Sequence, residues 1–210
     1  MEFAPDQIRS YRYWIQGYAR FYEPIVAEYF CVEGYQVLAH PAKVGKLDIQ
    51  RVIDDLFDGR KGLGPELEAK AVCEHLRGRQ RLQPDFLLER GGQRYLAELK
   101  SWGGFRSGVF DWATLDNEFL RRPDKSGFLL LDSLGGQPVY GKLLVVSSRS
   151  TQHERVLATL RSAYQTNVEL FYLDEIFAAP QLAGTIERQL RFLDAAVAEL
   201  KQALGRGRGG

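Results

Sequence analysis

The chain has 210 residues, 45% hydrophobic and 26% charged, with a formal net charge of +1. That is enough for one sizeable domain of ordinary globular composition. A charge so near zero excludes a globally basic nucleic-acid binder, so any basic surface must come from local clustering. Cys31 and Cys73 form no CxxC or Cys/His metal spacing and lie in apolar helical contexts, so both are expected as buried free thiols. No apolar run approaches the roughly 20 residues of a membrane span, and the start MEFAPDQ lacks a basic-then-apolar leader. A cytoplasmic protein is the default expectation.

Residues 6–33 are expected as a helix, because Ile8, Tyr11, Ile15, Tyr18, Tyr22, Ile25 and Tyr29 recur at spacings of three and four. Pro24 predicts a kink or a restart. Gly34 ends the helix, and Tyr35 to Ala39 reads as a strand closed by His40-Pro41. His40, alone at a strand end, is expected to be structural or solvated. Residues 43–80 read as a helical insertion: a helix around Ile49 to Phe57, the loop DGRKGLG, and a second helix from Pro65 to about Leu76.

Arg81 to Trp102 then reads as two short strands around Gly91-Gly92. A flexible loop with Trp102 and Arg106 follows, then a helix near Val109 to Arg121. Phe128–Leu131 and Lys142–Ser147 are apolar runs expected as buried strands, with a loop at Gly135-Gly136 between them. His153–Tyr164 is expected as a helix and Val168–Leu173 as a strand. Gln181–Leu204 is expected as a long amphipathic helix, and residues 205–210 as a flexible tail. The expected fold class is α/β: one domain over residues 1–204 with a mixed central sheet flanked by helices.

The residues that carry chemistry lie in the hairpin. Glu98 and Lys100 are i and i+2 on a strand and project from one face, with Leu99 on the other. Asp85, on the paired strand, approaches them across the hairpin. Two carboxylates and an ammonium at one point suit phosphodiester hydrolysis. The carboxylates hold a divalent metal, a water is deprotonated nearby, and a cation stabilises charge on the phosphate. Oxygen ligands favour Mg2+ or Mn2+. As letters the motifs are weak. Pro-Asp recurs at Pro5-Asp6 and Pro123-Asp124, and Glu-x-Lys at Glu68-Ala69-Lys70 and Glu199-Leu200-Lys201. Those last two triplets lie in predicted helices, where i and i+2 face apart.

The arrangement resembles the PD-(D/E)xK nuclease superfamily, the restriction-endonuclease-like fold, and its core motifs are most similar to those of archaeal Holliday-junction resolvases. The likeness lies in two blocks, residues 20–42 and 84–101. Glu23 stands eleven residues before Gly34-Tyr35, YQVLAHPA resembles the first strand and its loop, and Asp85 precedes Glu98 by thirteen residues. The resemblance implies that Asp85, Glu98 and the backbone carbonyl of Leu99 bind Mg2+ or Mn2+. It implies that Lys100 activates water and stabilises the transition state, and that Glu23 is an outer or second-metal carboxylate. Pro24 beside Glu23 leaves Glu28 as the fallback. The sequence departs from the pattern in the 43–80 insertion and in lacking the serine expected near Ala42-Lys43. Asp48 in GKLDI competes for the ligand aspartate, but its position before Ile49, Val52 and Ile53 fits a helix cap better.

The expected function is a metal-dependent DNA endonuclease. Arg60, Lys61, Arg77 and Arg79 of the insertion, with Trp102 and Arg106, would hold DNA. Two alternatives are a restriction or host-defence nuclease whose insertion reads sequence, and a non-catalytic nucleic-acid-binding module of the same fold. DNA and RNA are not distinguished by these residues. A homodimer fits the resemblance, with the 128–131 run or the C-terminal helix as candidate faces, although either could equally pack within one chain.

Overall fold

The computed structural model of the protein describes residues 21–63, 68–78, 82–100, 127–146 and 152–206. The aromatic stripe before Phe21, the helix start at Pro65, Arg79, Arg81, the loop with Trp102 and Arg106, the helix expected at 109–121 and the last four residues lie outside these segments. By its contacts the chain groups into two compact units, Met1–Glu33 with Ile176–Gly210, and Gly34–Glu175, where the sequence is read as one domain.

In the first unit, helix α1 spans Tyr22–Val32. Pro24 falls in its first turn, where no amide hydrogen is needed, so the helix runs unbroken to Val32. Ile25, Val26 and Phe30 are buried, whereas Cys31 is exposed, a correction to the expected pair of buried thiols. The spacing explains this: Cys31 sits on the side of the helix nearly opposite Ile25, Val26 and Phe30. The C-terminal helix covers Ala183–Arg206, so Gly205 and Arg206 continue it rather than start the tail. Glu28 of α1 accepts a hydrogen bond from Thr185 and lies 3.5 Å from the Arg188 guanidinium.

The second unit holds a mixed five-stranded sheet. In chain order it contains strand β1 (Gln36–Ala39), helix α2 (Lys46–Phe57), helix α3 (Ala69–Gly78), strand β2 (Phe86–Arg90) and strand β3 (Gln93–Lys100). Next come a small hairpin, β4 (Ser133–Leu134) with β5 (Gln137–Pro138), then β6 (Gly141–Val146), helix α4 (His153–Tyr164) and β7 (Val168–Tyr172). A short helix α5, Leu173–Phe177, follows β7; the C-terminal helix of the first unit is α6.

The sheet order is β1-β2-β3-β6-β7, with β1, β2 and β3 antiparallel and β3, β6 and β7 parallel. Gly91 and Gly92 have φ of 59° and 77°, the left-handed pair that a two-residue hairpin turn needs and that glycine adopts without strain. Helices α2, α3 and α4 bury Val52, Ile53, Leu56, Val72, Leu76, Val156 and Leu160 against Leu96, Leu144 and Val146 on one face of the sheet. Each such side chain contributes roughly 1.5–3 kcal/mol by leaving water, which fixes the sheet that carries the hairpin.

Phe128–Leu131 is the clearest correction in this unit. Gly127–Leu130 is a 3-10 helix, and Phe128 to Leu131 are all buried in the core. A run buried on every side has no period, so it cannot report strand or helix. Its burial also removes it as a dimer face.

Candidate active site

Asp85 and Glu98 meet because the hairpin register sets them side by side. Phe86 pairs with Ala97, which places Asp85 directly before the first strand residue and opposite Glu98. Pro84 is anchored from the other side: its carbonyl accepts the Ala42 N–H at 2.9 Å, tying the loop after β1 to the start of β2. The Asp85 N–H donates to Glu98 Oε2 at 3.2 Å, and the Leu99 N–H donates to Asp85 Oδ2 at 2.6 Å. Lys100 Nζ forms an ion pair with Glu98 Oε1. A strand residue aims its N–H and C=O at the same neighbour, so the Leu99 carbonyl faces the Asp85 side.

The electrostatics follow from burial. Glu98 is only 9% exposed. Loss of hydration pushes its carboxyl up to about 7; the Lys100 ammonium opposes this and the Asp85 charge adds to it. Asp85 is also raised, first by burial, against the Leu99 hydrogen bond and the positive charges of Lys100 and His40. Two poorly hydrated carboxylates side by side resist ionising together, and Lys100, His40, a proton or a bound cation can each offset their charge.

A divalent cation fits this donor set. Asp85, Glu98 and the Leu99 carbonyl offer hard oxygens. Mg2+ commonly takes one or two carboxylates and fills its remaining positions with water and substrate phosphate. Among the described residues, no cluster of three or more His, Cys, Asp and Glu side chains converges.

His40 is the neighbour that sequence alone left as structural or solvated. Its ring lies 4.6 Å from the Phe86 ring, and its charge acts on Asp85. The signal was its place directly before the Pro41-Ala42 segment that hydrogen-bonds Pro84.

Glu23 lies in the first turn of α1, in the first unit. Glu28 is held there by Thr185 and Arg188 of α6, a structural role that accounts for its carboxylate. Asp48 is likewise accounted for. Buried in the first turn of α2, it accepts the Gly45 N–H at 3.1 Å and the Gly135 N–H at 3.1 and 3.2 Å, so it caps the helix and ties down the β4–β5 turn.

The basic residues assigned to DNA divide. Lys61 is buried and ion-paired with Asp132, so it is not on a DNA-facing surface. The same aspartate has Lys142 Nζ 3.8 Å away, and Lys142 also donates to Thr166 at 3.4 Å. Burial drives the Lys142 ammonium down to about 8, partly offset by Asp132. Arg60 is exposed but held by Asp55 at 2.8 Å and Asp58 at 2.9 Å. It lines a cleft of about 220 Å³ that includes Asp48, Asp54, Asp55 and Asp132 against only one other arginine, Arg51. Such a wall repels phosphate. Arg77, in the last turn of α3, stacks 5.7 Å from the Phe57 ring centroid. Arg79, Trp102 and Arg106 fall outside the described residues.

No family model, curated protein or solved structure matches this chain. Among the described residues, no helix is long and apolar enough to cross a membrane.

Proposed function

We propose that the protein is a metal-dependent DNA endonuclease of the PD-(D/E)xK kind, with a restriction-endonuclease-like core and with Asp85, Glu98 and Lys100 as its catalytic groups. One observation carries the reading. A buried carboxylate, Glu98, and a half-buried one, Asp85, lie opposite each other across a hairpin, and a lysine on the same face is ion-paired with Glu98. A plain surface ion pair would be solvated and weak. Here both acids are desolvated and raised, a cost that a fold retains where the chemistry uses it.

Asp85, Glu98 and the Leu99 carbonyl would hold Mg2+ or Mn2+. When bound, the cation neutralises phosphate charge and makes water easier to deprotonate. The protein's own groups do the remaining work. The Leu99 N–H fixes one oxygen of Asp85, and the Asp85 N–H fixes one oxygen of Glu98, so both carboxylates are oriented before substrate arrives. Lys100 would orient the attacking water and offset charge growing on the phosphate. Duplex or branched DNA is the proposed substrate.

The test is single-turnover cleavage of labelled linear, flap and four-way-junction DNA with Mg2+. Lys100→Ala, folded by circular dichroism, is expected to lose at least about a hundredfold in rate. A folded Lys100→Ala protein that cleaves at the wild-type rate would sink the mechanism.

A further inference from the structure

The parallel half of the sheet puts a second polar pair on the same face and at the same end as the hairpin site. Lys100 is in register with Val146, and Val146 with Tyr172. Residues in register on neighbouring parallel strands project to the same side, and alternate residues of one strand share that side. Glu98, Lys100 and Tyr172 therefore share one face at the C-terminal ends of β3 and β7. Two strand spacings separate Lys100 from Tyr172, roughly 10 Å between backbones. The outer ends of parallel strands are where open α/β sheets take ligands.

The Tyr172 ring is buried, and its hydroxyl is hydrogen-bonded to Nδ1 of His153, the first residue of α4. The His153 side chain itself is partly exposed. Its other nitrogen, Nε2, stands 3.7 Å from Glu154 Oε1, beyond hydrogen-bond length, and the Glu154 side chain is 91% exposed. When the phenol donates to Nδ1, the ring hydrogen resides on Nε2; in the imidazolium both nitrogens carry one. In a third state Nδ1–H donates to the phenol oxygen and Nε2 is bare; the first two leave an N–H at Nε2, on a partly exposed ring that the buried tyrosine holds.

We infer that His153, positioned by Tyr172, binds a phosphate of the substrate strand next to the one attacked at Asp85, Glu98 and Lys100. The inference rests on the nuclease reading of that site. His153 then supplies binding that is equal in ground and transition states, so its loss acts on KM and leaves kcat nearly unchanged. Tyr172 is a positioning residue.

Four variants test it: His153→Ala, His153→Gln, His153→Asn and Tyr172→Phe, each checked for folding by circular dichroism. Binding of fluorescein-labelled linear duplex and four-way-junction DNA is read by anisotropy in EDTA, and cleavage is read with Mg2+. A glutamine amide reproduces a donor near the Nε2 position, and an asparagine amide reproduces one near Nδ1. His153→Ala is expected to weaken binding about tenfold, the size of one hydrogen bond to a charged group. His153→Gln should recover most of that loss and His153→Asn little, while Tyr172→Phe weakens binding a few-fold.

Wild-type protein that binds and cleaves while His153→Ala does both equally well overturns the inference and leaves the nuclease reading standing. Recovery by asparagine but not glutamine assigns His153 to holding Tyr172 alone, and also overturns it. The expected binding pattern without any cleavage keeps the subsite and overturns the nuclease reading. Absence of wild-type binding to either DNA overturns the subsite.

Discussion

Replacing Glu98 by glutamine should change how stability depends on pH. Burial holds the Glu98 carboxyl at about 7 instead of its ordinary 4.5. Between those values the native state binds more protons than the unfolded chain, so stability falls as pH rises through the window. The full penalty is present above pH 7. At about 1.4 kcal/mol for each pH unit the carboxyl is displaced, the penalty is roughly 3 kcal/mol. Glutamine keeps an oxygen for the Asp85 N–H but cannot ionise. The lost attraction to Lys100 is already counted in that figure, because the Lys100 charge is one of the causes that set the Glu98 value. The informative quantity is therefore the change in the stability gap between variant and wild type. Urea unfolding followed by circular dichroism in EDTA should show Glu98→Gln gaining roughly 3 kcal/mol on wild type between pH 4.5 and 8. With a slope of about 2 kcal/mol per molar urea, that is a relative midpoint shift of roughly 1.5 M. An equal gap at the two pH values would refute the claim that Glu98 is a desolvated acid.

Lys142 gives the opposite sign. Its folded value of about 8 lies below the ordinary 10.5, so stability should rise between pH 8 and 10.5 by roughly 3 kcal/mol. Lys142→Met should flatten that rise in the same urea experiment. Gly92→Ala, at a φ of 77°, should cost about 1 kcal/mol by forcing a left-handed alanine, read as a lower urea midpoint. Calorimetry with Mn2+ should show wild-type affinity falling toward tenfold per pH unit below about pH 7, because cation and proton compete for Glu98. Asp85→Ala should weaken Mn2+ binding at every pH.

The hairpin was legible because its information is local. Gly91-Gly92 announces a left-handed turn, and the strand period puts Glu98 and Lys100 on one side. The partners of charged residues were not legible. Lys61 sits in a glycine-rich charged loop that looks solvated, yet its counter-ion is Asp132, and only the fold brings them together. Lys142 heads a run expected as a buried strand, and it is fully buried beside the same aspartate, a partner that no local pattern announces. Phe128–Leu131 was recognisable as buried and not as a 3-10 turn, since uniform burial erases periodicity. His153 and Tyr172 lie in an expected helix and an expected strand, and their juxtaposition depends on the parallel register of β6 and β7, which no local pattern encodes.

If Asp85 and Glu98 form a metal-dependent phosphodiester-cleaving centre, cleavage requires both the cation and Asp85. Incubating wild-type protein and folded Asp85→Ala with linear, flap and four-way-junction DNA, in Mg2+ and in EDTA, tests it most directly. Products from wild type in Mg2+ alone, absent with Asp85→Ala, are the predicted result. No cleavage of any substrate, or cleavage that survives in Asp85→Ala, would contradict the account.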